Sequence, residues 1–451
     1  MAEITTTISA TIESLLELKK YNSLKDILTT IQPIDIALIL EEMPIQKVAL
    51  IFRLLPKELA AEVFVEMEND SREALIKSFS DNELKEIIDE LYLDDAVDLV
   101  EEMPASVVRR ILAQADPDTR RLINEMLKYP EDSAGSVMTT EFVDLLPDMT
   151  AADAILRIRR TGVDKETINV CYVIDGKRKL IGAVSIRAII LASEDAVIEE
   201  IMDENILSVT TQEDQETVAQ MFAKYNFTVM PVVDAENRLV GIVTVDDAID
   251  IIQEEATEDI SKMAGVTPSD KPYLKLSVFE IWKSRIPWLM ALMLSATLTS
   301  IILTSFEGAL LVVPVLTAYI PMLMGTGGNS GSQASVTVTR GLSLSEIEFS
   351  DLASVLWKEV RVSVLCGASL AIVNFLKLLL IDRLEATVAL TICVTLIFVV
   401  FFAKLVGALI PMLAEKFGFD PAVMASPFIT TIVDALSLLI YFGVAKTVLG
   451  I

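Results

Sequence analysis

Pro421-Ala-Val-Met-Ala-Ser-Pro-Phe-Ile-Thr-Thr-Ile-Val-Asp434-Ala-Leu-Ser-Leu-Leu-Ile-Tyr-Phe-Gly-Val-Ala445 is long and apolar enough to cross a bilayer, and Asp434 is its one charge, near the middle. A carboxylate at that depth costs about 2.5–3.5 kcal/mol on insertion scales, so it faces a water path, an ion or a buried cationic side chain, not lipid. The candidate cationic partners in the same half of the chain are Lys377, Lys404 and Lys446, each nearer a hydrophobic end than a midpoint. A cation site at Asp434 is therefore the leading reading. Ser426, Thr430 and Asp434 recur at four-residue steps and share one helix face. Pro427 is expected to bend that helix and free carbonyls one turn back.

Four more apolar runs precede it, near 284–306, 308–339, 355–381 and 386–413, which makes five expected spans. The second contains Pro321-Met-Leu-Met-Gly-Thr-Gly-Gly-Asn-Ser-Gly-Ser-Gln-Ala334. Glycines there allow close helix approach, and Asn329 and Gln333 are hard to account for by packing alone. Basic residues cluster at Lys283 and Arg285 and between Arg340 and Arg361, which places the N-terminal part in the cytosol by the positive-inside tendency. An odd span count in a short chain points to a homo-oligomeric pore.

Charge divides the chain. Residues 281–451 carry ten acidic and ten basic side chains, so the whole net charge of −28 lies in residues 1–280. That acidity disfavours nucleic-acid binding and suits a cation as ligand or regulator. There is no histidine, and the three cysteines are scattered, so neither a zinc cluster nor a disulfide framework is readable. A metal bound here must take oxygen ligands, which suits magnesium, calcium or manganese. The N-terminus lacks the basic start and apolar core of a signal peptide. No nucleophile–base constellation and no ATP-hydrolysing motif is present, so no catalytic step is expected.

From the start to about residue 135 the chain reads as an acidic, solenoid-like array of short helices punctuated by Pro33, Pro44, Pro56, Pro104 and Pro117. Asp35-Ile-Ala-Leu-Ile-Leu-Glu-Glu-Met-Pro44 returns as Asp95-Ala-Val-Asp-Leu-Val-Glu-Glu-Met-Pro104. Over 136–245, Val170–Ser185 aligns without gaps to Val229–Thr244. Each copy is a strand, an Asp-led turn and Leu-x-Gly-x-Val. Two such β-α-β-β-α units look like a tandem CBS pair. In that family a Ser/Thr-x-x-Asp after the second strand holds a ribose; Thr244-Val-Asp-Asp247 matches, whereas Ser185-Ile-Arg-Ala188 lacks the carboxylate. One ATP per chain at most is implied, with helix capping by Asp247 the plainer alternative. Residues 246–280 form a connecting stretch, helical and acidic in pattern.

The whole chain resembles the MgtE-type magnesium transporters: acidic helical N-domain, α+β CBS pair, acidic connecting (plug) helix and, over 281–451, a five-helix transmembrane pore. The Gly-Gly-Asn-Ser-Gly-Ser-Gln and Pro-x-x-x-Thr-x-x-Asp signatures carry the likeness. It implies a homodimer in the cytoplasmic membrane, with N-terminal domains in the cytosol and two copies of Asp434 around a hydrated magnesium ion. Asn329, Gly328 and the neighbourhood of Ser426 and Thr430 would meet the ion's water shell. It also implies that cytosolic magnesium shuts the pore. By position that role passes to Glu62, Asp94 and Asp98 in the N-domain, Glu216, Asp247 and Asp250 in the CBS pair, Glu255, Glu258 and Asp259 in the plug, and Asp420 at the start of the last span. The rival readings are a transporter of manganese or cobalt on the same scaffold and a membrane-anchored CBS nucleotide sensor.

Overall fold

The computed structural model describes residues 2–269, 271–306, 311–424 and 426–450, with the side chains of residues 2–7, Asp164 and Ser426 outside that description. The chain divides into two compact units, residues 1–252 and 253–451.

Prolines set the rhythm of the first unit. Pro33 and Pro117 occupy the first turn of their helices, and Pro44, Pro56 and Pro104 sit at N-caps, where a missing N–H costs nothing. Helices Pro33–Glu41, Lys57–Val65, Asp81–Ile88 and Ala105–Gln114 pack each on the next, and Ile45–Phe52 packs on Asn69–Ser78. This alternation is that of a helical solenoid. Arg110 ties neighbouring turns by donating to the Ile76 and Phe79 carbonyls at the end of one helix and to Asp81 at the start of the next.

The CBS pair supplies two three-stranded sheets, β1 (Asp144–Leu145), β2 (Val170–Ile174) and β3 (Leu180–Ser185), then β4 (Val209–Thr210), β5 (Val229–Val233) and β6 (Leu239–Thr244). The registers repeat: Val170 pairs with Ser185 as Val229 pairs with Thr244. The copies interlock. Thr139, which opens the first copy, exchanges backbone hydrogen bonds with Ile242 of the second, and Asp203, which opens the second, exchanges them with Ala183 of the first. Met138 accordingly lies under Gly241 and Met202 under Gly182, where a Cβ would collide with each sulfur.

In the second unit, helices Val278–Ser305, Phe349–Leu380, Ala386–Lys416 and Pro427–Leu449 are, among the described residues, long and apolar enough to cross a membrane. The expected second span differs. Run 308–339 is broken by a 3₁₀ turn at Pro314–Tyr319, and the helix proper is Ile320–Ser343. Its 24 residues rise about 36 Å, but glycines and amides lower its apolarity, so length and composition together pick out four spans among the described residues. Packing keeps it central, against both Ala386–Lys416 and the last helix.

Candidate cation sites

Small residues bring the polar helix into the bundle. Cβ atoms on Gly327, Gly328 and Gly331 would lie 2.7 Å from Ser437 Oγ, 3.0 Å from Thr430 Cγ2 and 3.0 Å from Ile429 Cγ2, all on the last helix. Thr430 Oγ1 also lies 3.4 Å from Ser332 Oγ. Asn329 and Gln333 face away from this seam, exposed, and line a 510 Å³ cavity shared with Ser369 and Lys404. Asp434 is half-buried on the last helix and, among the described residues, has no hydrogen-bond or ion-pair partner. Lys377 is engaged by Asp382 at 2.7 Å and Lys404 faces Glu359 at 3.9 Å, so neither lysine neutralises Asp434.

Pro427 does not bend the last helix. That helix begins at Ser426, so the proline stands in its first turn, where no N–H is needed. The carbonyl of Pro427 accepts from Thr431 Oγ1 at 3.1 Å, as in a continuous helix. The Ser426 side chain lies outside the described residues.

The connecting helix, Val245–Met263, ends among residues of the second unit. Ser343 Oγ, at the end of the polar helix, donates to Asp259 Oδ2 at 2.8 Å. Lys262 Nζ lies 2.7 Å from Glu258 Oε1 and 2.7 Å from Asp420 Oδ2. Burial works against the lysine charge, but the two carboxylates outweigh it and hold the Lys262 pKa above its ordinary value. Burial, with repulsion from Asp420, raises the Asp259 pKa against the Ser343 hydrogen bond. The chain then turns at Gly265, φ +67°, close against Pro427 and Trp288.

In the first unit the acids gather on helix Leu93–Glu102. Asp94 is 9% exposed, and burial with repulsion from Asp95, Asp247 and Glu166 pushes its pKa well above the carboxylate range. Asp95 is pushed up to about 7 by burial and Asp247, Asp98 to about 7 by burial and Glu102, and Glu166 to about 7 by burial and Asp246. Asp247 is raised by burial yet restrained by Thr244, whose Oγ1 donates to it at 2.6 Å. Asp250 is raised by burial and Asp246, and it in turn helps raise Glu66. Tyr92, whose pKa is raised by burial and then by Glu166 and Glu141, also feels Glu62. Glu216 accepts from Gln220 Nε2 at 3.3 Å within its own helix. No three Asp or Glu side chains among the described residues converge closely enough to chelate one ion directly.

Asp95, Glu166, Asp246 and Lys262 were not singled out from sequence. Asp95 and Asp246 each adjoin a chosen residue and could have been found by asking which carboxylates flank the same helix start. Glu166 lies in a loop with no motif, and only the tertiary fold brings it in.

Comparison with known proteins follows this division of the chain. A family model described as a divalent cation transporter, MgtE, matches residues 320–444. The MgtE intracellular N domain matches 31–132 and the CBS domain matches 134–195 and 198–254. The magnesium transporter MgtE of Thermus thermophilus is 36% identical over 450 residues, 98% of each chain. That of Bacillus subtilis is 31% identical over 434 residues, 94% of each. Among solved structures, the cytosolic domain of the Mg2+ channel MgtE in complex with ATP is 36% identical with a TM-score of 0.52, covering 54% of this chain and 99% of that one. The soluble part of a magnesium transporter is 28% identical with a TM-score of 0.53, covering 56% and 99%.

Proposed function

Since the chain belongs to the MgtE family of magnesium transporters, we propose that it is a magnesium uptake channel, working as a homodimer with Asp434 of each protomer at the conduction site and cytosolic magnesium as its inhibitor. The carrying observation is Asp434 itself: a carboxylate within an apolar helix, half-exposed and without a partner among the described residues, on the helix that seats the glycine-rich segment. A lone carboxylate per protomer fits an ion that keeps most of its water. Magnesium dehydrates reluctantly and prefers few carboxylates and many waters. Two protomers facing each other across Asp434 would supply the second carboxylate and cover the exposed face. The ion moves down its electrochemical gradient, about 4.6 kcal/mol per 100 mV for a divalent charge.

Inhibition rests on the two acidic gatherings. Burial and mutual repulsion make Asp94, Asp95, Asp98, Glu166 and Asp247 hold protons toward neutral pH, and hydrated divalent cations would relieve the same repulsion in the protons' place. Glu258, Asp259 and Asp420 would let the connecting helix respond where it meets the bundle. ATP binding at Thr244 and Asp247 is supported by the ATP complex of the similar cytosolic domain. Calorimetry should then saturate at one nucleotide per chain and weaken with Asp247→Ala; two equivalent sites would exclude this assignment.

The deciding experiment is magnesium flux in liposomes, with the ion varied on each side separately and manganese and cobalt as competitors. Asp434→Ala should lower flux at least about tenfold while the protein remains folded and dimeric. Undiminished flux in that variant would refute the conduction reading.

A further inference from the structure

The cavity that Asn329 and Gln333 line lies between helices Ile320–Ser343, Leu352–Leu380 and Ala386–Lys416, and its inner wall carries Lys404. Lys404 is 5% exposed. Its counter-charge, Glu359 Oε2, stands 3.9 Å away, beyond hydrogen-bond reach, and has no hydrogen-bond partner among the described residues. A buried pair with such loose geometry is a poor stabiliser, because desolvating both charges costs more than their attraction returns. Its effect is electrostatic: Lys404 lines the cavity and Glu359 does not, so the pair turns its positive end toward the chamber and raises the potential there. The remaining lining is hydroxyl, amide, thiol and apolar, and no acidic side chain, Asp434 included, is among the described residues that line it.

We propose that Lys404 is a charge-selectivity residue: its ammonium, on the chamber side of the pair with Glu359, closes this chamber to cations, so that the divalent ion has one route, past Asp434. The inference rests on the conduction reading for its purpose, but the chamber's potential can be measured without any flux. Cys366 lines the chamber and serves as the probe. With the buried Cys171 and Cys393 replaced by alanine, the full-length protein in liposomes is treated with cationic and anionic thiosulfonates of matched size. The anionic reagent should modify Cys366 about tenfold faster. That preference should disappear in Lys404→Met. If the single variant leaves Glu359 uncompensated and fails to fold, Glu359→Gln with Lys404→Met removes both charges, a change buried pairs tolerate well, and should give equal rates. Equal rates with Lys404 present, a cationic preference, or no labelling at all would overturn the proposal. Lys404→Gln should also admit thallium(I), and this leak should survive Asp434→Asn; a leak abolished by Asp434→Asn would show that no separate chamber exists. Undiminished magnesium flux in Asp434→Ala would remove the conduction reading and leave the labelling result in force.

Discussion

Gly407 and Gly325 show how differently one residue type can act in the same bundle. A Cβ on Gly407 would collide with the carbonyl oxygen of Gly331, backbone against backbone, whereas Gly325 has nothing within 4 Å. Gly407→Ala must therefore push two helices apart and should cost about 1–3 kcal/mol, as overpacked cores do. Gly325→Ala should be neutral or stabilising by up to about 1 kcal/mol from helix propensity. Thermal unfolding in detergent, run on the two variants side by side, checks the contrast; equal losses would mean that the seam is not rigid. Asp434 was legible from the sequence because a charge inside an apolar run is conspicuous. Lys404 was weighed only as its counter-ion, because no pattern tells which wall of a bundle a lysine joins.

At the scale of elements, the helix Leu93–Glu102 converts crowding into pH dependence. Asp95 and Asp98 titrate at about 7 when folded and near 4 when unfolded. Between those values the folded form binds more protons, so stability of the soluble unit should rise as pH falls from 8 toward 5 and decline as pH climbs through 7. Protons and magnesium then compete for the same carboxylates. Magnesium binding to the soluble unit should weaken below pH 7, by up to about tenfold per pH unit for each proton displaced. Chemical denaturation and calorimetry at pH 5.5 and 8 test both, and a magnesium affinity that ignores pH would detach the cluster from the ion. The proline-led helices and both strand repeats were readable, since caps, periodicity and turn chemistry are local. The kink assigned to Pro427 was not, because the sequence hides whether a proline starts a helix or interrupts one. The start of the polar helix was misplaced for a related reason: an apolar run does not reveal the 3₁₀ turn at its head.

For the whole molecule the charge division is the dominant fact, with −28 carried entirely by residues 1–280. Acidic surfaces within a Debye length, about 8 Å at physiological salt, repel unless cations lie between them. The soluble unit should be more susceptible to limited proteolysis without magnesium and protected at millimolar magnesium, with Asp94→Ala plus Asp247→Ala flattening that dependence. Proteolysis indifferent to magnesium in the unaltered protein would end the sensor reading. The crossed packing of Met138 under Gly241 and Met202 under Gly182 has an evolutionary corollary. A solitary ancestral copy would have held a methionine with nowhere to go and a glycine with nothing over it. Such a unit completes itself only by trading parts with its twin, so a single copy, ancestral or expressed alone, is expected to pair with a second copy of itself.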